Sequence, residues 1–347
     1  MVLKAWFRYR QAFQKLSSGR RFNNPFFSVR NLAFGGLSTV ALGGLLYYHK
    51  RDSNIELSED YFTKYQVTQN LRLDDEHTML ELKPLRPQST NLWELMKSKK
   101  LWSVQIKQPE IMVVRNYTPL PLQKLEDGNF VALEEGDNAG GKFWLYLKKY
   151  KQGEVARWLS KLPEGHVIEL RGPFIDFEFP HLPDHNTFQT PRESTQQSYT
   201  TVYDILACTA GTGIAPVMQL LLTAGDPRKV QLLHSCRSKS DLGPLYSFFN
   251  QLEHTGRLQF HLFESTAGRD IRQIQSEALK LIPMPSGNQR NIPARLEDKL
   301  HPSFALVCGP DPYITTVSGT KYDLSQGPVE GLLSQRGWSE RNVYKLS

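Results

Sequence analysis

One strand-like run ends in side chains suited to a phosphorylated ligand that carries a flat ring. The residues are Arg115, Asn116, Tyr117, Thr118 and Pro119. A guanidinium can bind two pyrophosphate oxygens at once, a tyrosine offers a flat apolar face, and a threonine hydroxyl can bond a polar ring edge. Taken alone, such a segment is more often an exposed strand surface, so the interpretation depends on partners elsewhere in the chain.

A second group of candidate residues follows a later strand-like run. Lys148 and Tyr150 end that run, and a glycine then opens a short amphipathic helix predicted over 153–162. Glycine at a helix start leaves the first backbone N–H groups open to an anion. An arginine and these N–H groups could therefore converge on one diphosphate. The residues of the helix start are Gly153, Glu154, Val155 and Ala156.

A third group lies in the C-terminal half, where a glycine turn separates a β-rich run from a helical segment. Such a turn lets the backbone approach a pyrophosphate at the helix N-terminus. The turn does not have the GxGxxG spacing of the general dinucleotide pattern, so it is a weak signal by itself. Its residues are Gly211, Thr212, Gly213, Ile214, Ala215 and Pro216.

Two later strands of the same half also end in candidate residues. Arg237 follows the second strand of this half and could meet a 2′-phosphate or a ribose, or could be solvated. Cys308, Gly309 and Pro310 follow the last predicted strand. Cys308 is a candidate for contact with a ligand, and its alternative role is that of a small buried hydrophobe.

The first two groups lie among short β-branched and aromatic runs that are separated by turn residues. Near-regular spacing of such runs favours an antiparallel β-barrel or sandwich, which we assign to residues 55–185. A polar segment with two prolines, 183–198, reads as an interdomain linker. The predicted strands are 65–73, 79–82, 102–105, 110–114, 130–133, 142–148 and 166–171.

Residues 200–347 alternate between strands and helices, which predicts an α/β domain with a parallel sheet. Ligands bind such sheets at the carboxyl ends of the strands. The glycine turn, Arg237 and Cys308 all follow strands, so we expect them at one edge of the sheet. The predicted strands are 201–209, 230–234, 259–264 and 305–307, and the predicted helices are 217–223 and 242–252.

The charge distribution argues against nucleic-acid binding. The chain has 347 residues and a formal charge of +7, but residues 1–51 alone hold nine Lys and Arg and no Asp or Glu. The remainder is therefore slightly acidic, whereas a nucleic-acid-binding body needs a basic face. The three cysteines, Cys208, Cys236 and Cys308, are too sparse for a disulfide framework or a zinc site, and no metal is predicted. Cys208 and Cys236 read as buried residues.

The N-terminal residues have the features of a targeting sequence followed by a membrane anchor. Residues 1–31 are basic, lack acids and interleave aromatic residues, which is typical of a mitochondrial presequence; a disordered basic tail is the alternative. Leu32–Tyr48 is a run of seventeen residues without a charge. At ~1.5 Å per residue this run is just long enough for a transmembrane helix. A secretory signal peptide is the rival, but the Arg-rich leader and the lack of a clear cleavage site count against it. We expect a single-pass protein of the mitochondrial inner membrane with its body in the intermembrane space.

In their order, these motifs resemble the ferredoxin–NADP reductase superfamily, and most of all its cytochrome b5 reductase branch. The resemblance covers about residues 55–347 and implies an FAD-binding β-barrel domain followed by an NAD(P)-binding α/β domain. It implies that the first two groups of residues hold FAD, the helix start binding its diphosphate. It also implies that Thr212 and Cys308 lie beside the nicotinamide.

The resemblance includes one departure and one open question. This chain has Val155 and Ala156 where that family usually has Met and Ser, which removes one hydroxyl but leaves the backbone N–H donors. In the family the C-terminus returns towards the flavin, where Trp338 or Tyr344 could cover the ring. Packing in the core is the alternative for both side chains.

Longer runs resemble the fungal mitochondrial flavoproteins that assist haem attachment to cytochrome c. These runs are 102–122, 153–158 and 171–176. The resemblance implies reduction of ferric haem, with haem, apocytochrome c and the cytochrome c haem lyase as partners. Hydride would pass from NADH or NADPH to FAD, which can deliver single electrons to iron, and no side-chain acid or base is needed for the hydride step. A general cytochrome b5 or ferric reductase and a non-catalytic assembly factor remain as alternatives.

Overall fold

The computed structural model describes residues 56–97, 100–150, 153–179, 203–266, 268, 270–285, 302–322 and 325–346. The described residues belong to one compact unit, Asn54–Ser347. The predicted leader, the predicted membrane segment and the predicted linker all lie outside the described residues. Within the described ranges, no helix combines the length and the apolar character needed to cross a membrane.

Seven antiparallel strands form the first sheet, in the order β4-β3-β9-β1-β2-β8-β5. Strand β8 is buried along nearly its whole length, so it runs through the core of this half. A separate hairpin pairs β6 with β7. The strands are β1 (Thr63–Arg72), β2 (His77–Pro84), β3 (Lys100–Gln108), β4 (Val113–Tyr117), β5 (Pro119–Leu120), β6 (Leu122–Lys124), β7 (Phe130–Ala132), β8 (Phe143–Lys148) and β9 (Val167–Glu178).

The predicted antiparallel β domain is confirmed, although in the described residues the end strands β4 and β5 do not pair to close a barrel. Strand β5 is only two residues long and begins with Pro119, which has no backbone N–H to donate. It pairs with β8 alone. The edge of the sheet therefore stays open where the chain passes from β4 into β5.

One predicted strand, 110–114, is wrong at its start. Residues 109–112 form the turn between β3 and β4, and Met112 has a φ of 54°. A left-handed residue reverses the chain, so the β-branched character of this stretch does not extend a strand. Strand β4 begins at Val113, opposite Gln108, and the register then places Arg115 opposite Ile106.

Five parallel strands form the second sheet, in the order β12-β11-β10-β13-β14. Every residue of the central strand β10 is buried, as expected for a strand covered on both faces. The predicted parallel sheet is confirmed, and the sequence analysis missed its fifth strand, β14. The strands are β10 (Ile205–Ala210), β11 (Val230–Cys236), β12 (Leu258–Glu264), β13 (Phe304–Cys308) and β14 (Val343–Leu346).

Seven α-helices flank the two sheets in the described residues. The predicted helix over 242–252 begins later, at Tyr246, because Gly243 has a φ of 50° and Pro244 lacks an N–H. The sequence analysis missed α5 and α6, which cover the second sheet. The helices are α1 (Leu92–Met96), α2 (Glu154–Leu159), α3 (Ala215–Leu222), α4 (Tyr246–His254), α5 (Ile271–Leu281), α6 (Asp311–Ser318) and α7 (Gly331–Gln335).

A buried amide joins helix α3 of the second half to the first sheet. Gln219 on α3 is 2% exposed, and its Nε2 donates to the backbone oxygens of Trp102 (3.0 Å) and Pro119 (2.9 Å). Its Oε1 accepts the N–H of Trp102 at 3.1 Å. One apolar core also runs continuously from Trp144 of the first sheet to Leu306 of the second. The two halves are therefore held in one relative position, which defines the cleft between them.

Candidate functional site

A cleft of about 430 Å³ lies between the two sheets, and we call it the interdomain cleft. Its volume is in the roughly 300–1,000 Å³ range of small-molecule sites. It brings together every residue of the first two predicted groups except Pro119, and most of the third. The predicted residues that line it are Arg115, Asn116, Tyr117, Thr118, Lys148, Tyr150, Gly153, Glu154, Val155, Ala156, Thr212, Gly213, Ala215, Pro216, Cys308, Gly309 and Pro310.

Strand β4 forms one wall of the interdomain cleft. Arg115 and Tyr117 point to the same face because side chains alternate along a strand. Arg115 is exposed, and its Nη1 donates to the backbone oxygen of Val114 at 2.9 Å. Burial raises the pKa of Tyr117 far above its ordinary value, so the phenol stays neutral. The wall thus offers a cation at its rim and a neutral aromatic ring further in.

The start of helix α2 forms another part of the wall. Gly153 is its N-cap, and no side chain caps this helix end. Val155 is 2% exposed and anchors the first turn in the core, while Ala156 lines the cleft. The first backbone N–H groups of α2 therefore remain available to an anion in the cleft.

Tyr150 and Lys148 stand between this wall and the second sheet. The Nζ of Lys148 lies 5.7 Å from the centroid of the Tyr150 ring and 3.6 Å from a carboxylate oxygen of Glu76. Tyr150 is 43% exposed. Both side chains line the interdomain cleft and also the second cleft described below, so they mark the boundary between the two.

The floor of the interdomain cleft is the junction of the glycine turn with the Cys308 loop. Strands β10 and β13 are neighbours, and Thr209 lies opposite Cys308. A Cβ on Gly213 would lie 2.3 Å from the carbonyl oxygen of Cys308 and 2.8 Å from the backbone nitrogen of Gly309. Only glycine allows this approach, which is why the turn and the loop meet and why Thr212 comes to the same cleft as Cys308.

Cys308 is a neutral thiol in this position. The side chain is 8% exposed, and burial raises its pKa to about 12. A buried thiol of this kind is a poor nucleophile, because the thiolate is the reactive form. Cys308 can therefore contact a ligand by packing or as a weak donor, and the geometry gives no support for covalent chemistry.

A second cleft of about 440 Å³ lies at the carboxyl edge of the parallel sheet, and we call it the edge cleft. It shares Lys148, Tyr150 and Pro310 with the interdomain cleft, so the two clefts adjoin. Its walls are mainly apolar and include residues of α5, which the sequence analysis missed. Those helix residues are Ile271, Ile274, Gln275 and Ala278.

Three residues of the third and later groups lie away from the interdomain cleft. Gly211 and Arg237 line the edge cleft, whereas Ile214 is fully buried in the core. The sequence allows Arg237 to meet a 2′-phosphate, a ribose or solvent. In the structure its guanidinium forms an ion pair with Glu76, which also approaches Lys148. A ligand in the edge cleft must compete with Glu76 for this arginine.

The remaining cysteines and the C-terminal aromatics do not line the interdomain cleft. Cys208 and Cys236 are buried free thiols that line the edge cleft, and burial raises the pKa of each to about 12. Trp338 is 3% exposed, and its Nε1 donates to the backbone oxygen of Pro283 at 2.8 Å, so it belongs to the core. Tyr344 packs on Phe177 and lines neither cleft.

Sequence reasoning missed two polar residues of the interdomain cleft, Ser103 and Asp176. The Oγ of Ser103 donates to an Oδ of Asp176 at 2.9 Å, and both line the cleft with Thr118 and Cys308. Burial raises the pKa of Asp176 to about 6, while the Ser103 hydroxyl and the Lys321 ammonium act in the opposite direction. Both residues lie in runs that carry the resemblance, 102–122 and 171–176, but their contact depends on how β3 and β9 pair across a long sequence separation.

In the described residues, the side chains of Asp74, His77 and Asp241 approach one another as metal ligands would. Both carboxylates and the Nδ1 of His77 already have protein partners, whereas the buried Nε2 of His77 has none among the described residues. Asp74 accepts the N–H groups of Glu76 (2.6 Å) and His77 (2.7 Å), and its other oxygen lies 2.7 Å from His77 Nδ1. Asp241 accepts the N–H of Arg237 at 3.2 Å. This group therefore fastens the β1–β2 turn and the loop after β11.

Comparison with known proteins gives relatives over nearly the whole chain, although no sequence-family model matches it. The chain is 45% identical over 350 residues to the cytochrome c mitochondrial import factor CYC2 of Saccharomyces cerevisiae, covering 92% of this chain and 93% of the relative. It is 26% identical over 313 residues to an uncharacterised FAD-binding protein of Schizosaccharomyces pombe, covering 90% and 94%. It is 25% identical over 334 residues to NADH-cytochrome b5 reductase 2 of Yarrowia lipolytica, covering 89% and 96%.

Proposed function

This chain belongs to the family of the yeast cytochrome c mitochondrial import factor CYC2, and on that premise we propose that it is an FAD-dependent NAD(P)H oxidoreductase that reduces ferric haem for attachment to apocytochrome c. FAD would occupy the interdomain cleft, and NADH or NADPH the edge cleft. The observation that carries the proposal is the junction of Gly213 with Cys308, where a Cβ would lie 2.3 Å from the carbonyl oxygen.

The donors of the interdomain cleft fit FAD. Arg115 and the uncapped start of α2 offer positive charge and N–H groups for a diphosphate. Tyr117 offers a neutral ring face, and Thr118 a hydroxyl, for the flavin. We propose that Lys148 and Tyr150 flank the cofactor. The S. pombe relative is named for FAD binding, and the proposal extends this property to the present chain.

The edge cleft fits a nicotinamide dinucleotide. It lies at the carboxyl ends of parallel strands, where α/β sheets bind such ligands, and it adjoins the interdomain cleft at Lys148 and Tyr150. A dinucleotide that entered there could extend its nicotinamide past Gly211 towards Thr212 and Cys308. The Y. lipolytica relative is named as an NADH-dependent reductase, which supports this class of donor. We propose residues 55–185 and 200–347 as the two cofactor domains.

The protein's own contribution is to bind, orient and exclude water. When bound, FAD supplies the exchange between a hydride and single electrons. The contact of the glycine turn with the Cys308 loop presents Thr212 and the Cys308 thiol to one side of the cleft. Gln219 holds the two sheets together, so the distance between the two cofactor sites is set before either ligand binds.

The identity of the electron acceptor is a separate part of the proposal. CYC2 is named for cytochrome c and for mitochondria, so haem, apocytochrome c and the cytochrome c haem lyase are the partners we propose. A general cytochrome b5 or ferric reductase is the second candidate, because the Y. lipolytica relative is a cytochrome b5 reductase. A non-catalytic assembly factor with the same fold is the third.

An acceptor comparison separates these candidates. The full chain, purified in detergent and reduced anaerobically by NADH, is mixed in a stopped-flow instrument with haemin, with haem bound to apocytochrome c, or with cytochrome b5. We expect haem reduction to be faster than cytochrome b5 reduction. A clear preference for cytochrome b5 would replace the haem proposal with the general cytochrome b5 or ferric reductase. If the protein binds no flavin, only the non-catalytic assembly factor is left.

We also propose that residues 1–31 direct the chain to mitochondria and that Leu32–Tyr48 anchors it in the inner membrane. The chain should then resist carbonate extraction from mitochondria. Protease should degrade its body once the outer membrane is ruptured, but not in intact mitochondria. A body that stays protected after rupture would place it in the matrix and contradict the proposed orientation.

A further inference from the structure

Asp176 lies at an irregularity of the first sheet that turns it into the interdomain cleft. Leu101 of β3 pairs with Phe177 of β9, whereas the next residue, Trp102, pairs with Ile175. The register therefore passes over Asp176. An extra residue in one strand re-aims its side chain, and such bulges are frequent beside active sites. Asp176 lines the cleft together with Ser103, Thr118 and Cys308.

Ser103 holds the carboxyl group in place. Its side chain is 2% exposed, and its Oγ donates to an Oδ of Asp176 at 2.9 Å. The backbone oxygen of Asp176 also accepts the hydroxyl of Tyr344 at 3.0 Å, so the residue is held from β3 and from β14. A carboxyl group fixed in this way inside a ligand cleft is built into the site and is not a freely solvated surface acid.

Ionisable groups face Asp176 from the segment after α6, from β13 and from β14. Lys321, which follows α6, favours the carboxylate, while burial lowers the pKa of Lys321 itself. Cys308 from β13 and Tyr344 from β14 both have raised pKa values, so both stay protonated. The pKa of Asp176 is about 6, because burial outweighs the hydrogen bond from Ser103. Charged residues elsewhere along the same cleft are Arg115, Lys148 and Glu154.

We infer that Asp176 is the residue of the interdomain cleft that takes up a proton when the bound cofactor is reduced, and that Ser103 positions its carboxyl group. The inference rests on the proposed function. A hydride brings two electrons and one proton to FAD, which thereby gains one negative charge. The Asp176 carboxylate compensates for that charge by binding one proton from solvent. When the two electrons leave singly for the acceptor, the hydride's proton and the carboxyl proton both return to solvent.

The closing experiment measures protons and not turnover. The FAD-loaded full chain is reduced anaerobically in weakly buffered solution, once by NADH and once by photoreduction without nucleotide, and an indicator dye reports proton uptake. At a pH of about 7.5 the wild type should take up roughly one proton per flavin more than Asp176→Asn. Asp311→Asn is the matched control, because Asp311 also interacts with Lys321 but lines neither cleft. Its uptake should equal that of the wild type.

Two further measurements keep the inference testable if Asp176→Asn loses FAD. Ser103→Ala removes a bond that favours the carboxylate, so the pH range of proton uptake should move upward. In the wild type, infrared difference spectra with ¹³C-labelled aspartate should gain the C=O band of a protonated carboxyl group on reduction.

The outcomes separate this inference from the proposed function. Equal proton uptake by wild type and Asp176→Asn, or the absence of the labelled band, overturns the role of Asp176 alone. If photoreduction bleaches the flavin but neither NADH nor NADPH does, the proposed reductase is overturned. The photoreduction experiment still decides the role of Asp176. A protein that binds no flavin overturns both.

Discussion

The interdomain cleft and the edge cleft have nearly the same volume, about 430 and 440 Å³, but different walls. The first combines Arg115, Asp176 and the uncapped start of α2 with ring faces. The second is mainly apolar, and its arginine, Arg237, is already paired with Glu76. The first cleft presents open donors to a cofactor that stays bound, whereas a ligand of the second must displace an ion pair. We therefore expect tight binding in one cleft and exchangeable binding in the other.

The largest expected effect comes from Gly213→Ala, which would destroy the floor of the interdomain cleft. The new Cβ would lie 2.3 Å from the carbonyl oxygen of Cys308, so the backbone must move. A displacement of this size near reacting groups can reduce the rate of cofactor reduction by about 100-fold. The measurement is NADH-dependent bleaching together with FAD content.

Gly256→Ala is the control for this substitution. Gly256 also has a positive φ, 68°, but a Cβ there meets nothing within 4 Å. The Gly256→Ala variant should lose about 1 kcal/mol of stability and keep normal FAD content. Equal behaviour of the two variants would mean that the junction does not shape the site.

The second largest effect should come from Arg115→Ala, which tests whether the interdomain cleft holds a diphosphate. Loss of a charged hydrogen-bond donor should weaken FAD binding by about 10–100-fold. The Kd is measured by quenching of flavin fluorescence on addition of apoprotein. Arg157→Ala removes another exposed arginine, on α2, that does not line the cleft, and it should leave the Kd unchanged. An unchanged Kd for Arg115→Ala would contradict the proposed phosphate contact.

Ala156→Ser should raise the affinity of the interdomain cleft for FAD, and so widen the expected difference in binding strength between the two clefts. Ala156 lines the interdomain cleft where the resembled family usually has a serine. A restored hydroxyl beside the phosphates should tighten FAD binding by about 3–10-fold. Ala156→Cys has nearly the same size and a weaker donor, so it should gain much less. If both variants gain equally, the improvement comes from packing and not from a hydrogen bond.

The smallest expected effect concerns the edge cleft, where Glu76→Gln would release Arg237. Exposed ion pairs are weak, so the Kd for NADH or NADPH should fall by only about 2–5-fold. The Kd for FAD should change less, because Glu76 approaches the interdomain cleft only through Lys148, at 3.6 Å. The Kd is measured by calorimetry with oxidised protein. Asp75→Asn removes the neighbouring exposed carboxylate, which is paired with Arg72. This variant should change neither the Kd for nucleotide nor the Kd for FAD. A weaker nucleotide affinity in Glu76→Gln would show that Glu76 supports the nucleotide and does not compete with it.

The sequence predicted those parts of the site whose chemistry is visible in short segments. The glycine turn Gly211–Ile214 and the Arg115–Thr118 segment could be selected as candidates from the sequence, because the backbone constraint and the polar groups are adjacent in sequence. The order of the two sheets followed from the change of periodicity near residue 200. Periodicity did not predict the open edge between the end strands β4 and β5 or the turn at Met112, because these features depend on single residues with special backbone geometry.

The parts that were missed depend on contacts between distant segments. Asp176 enters the cleft only because the register of β3 with β9 shifts there, and regular alternation along β9 does not predict this. The ion pair of Glu76 with Arg237 joins a turn of one half to a loop of the other. Helix α5 supplies an apolar wall of the edge cleft, although its sequence carries no binding motif.

The most direct test of the account is the transfer of hydrogen between the two clefts. The FAD-loaded chain is mixed anaerobically with NADH or with NADH deuterated at the transferred position of C4, and the loss of flavin absorbance is followed by stopped flow. Because the clefts adjoin at Tyr150, the account predicts full bleaching by one equivalent of nucleotide, with a primary isotope effect on the rate. A flavin that NADH and NADPH both fail to bleach would contradict it.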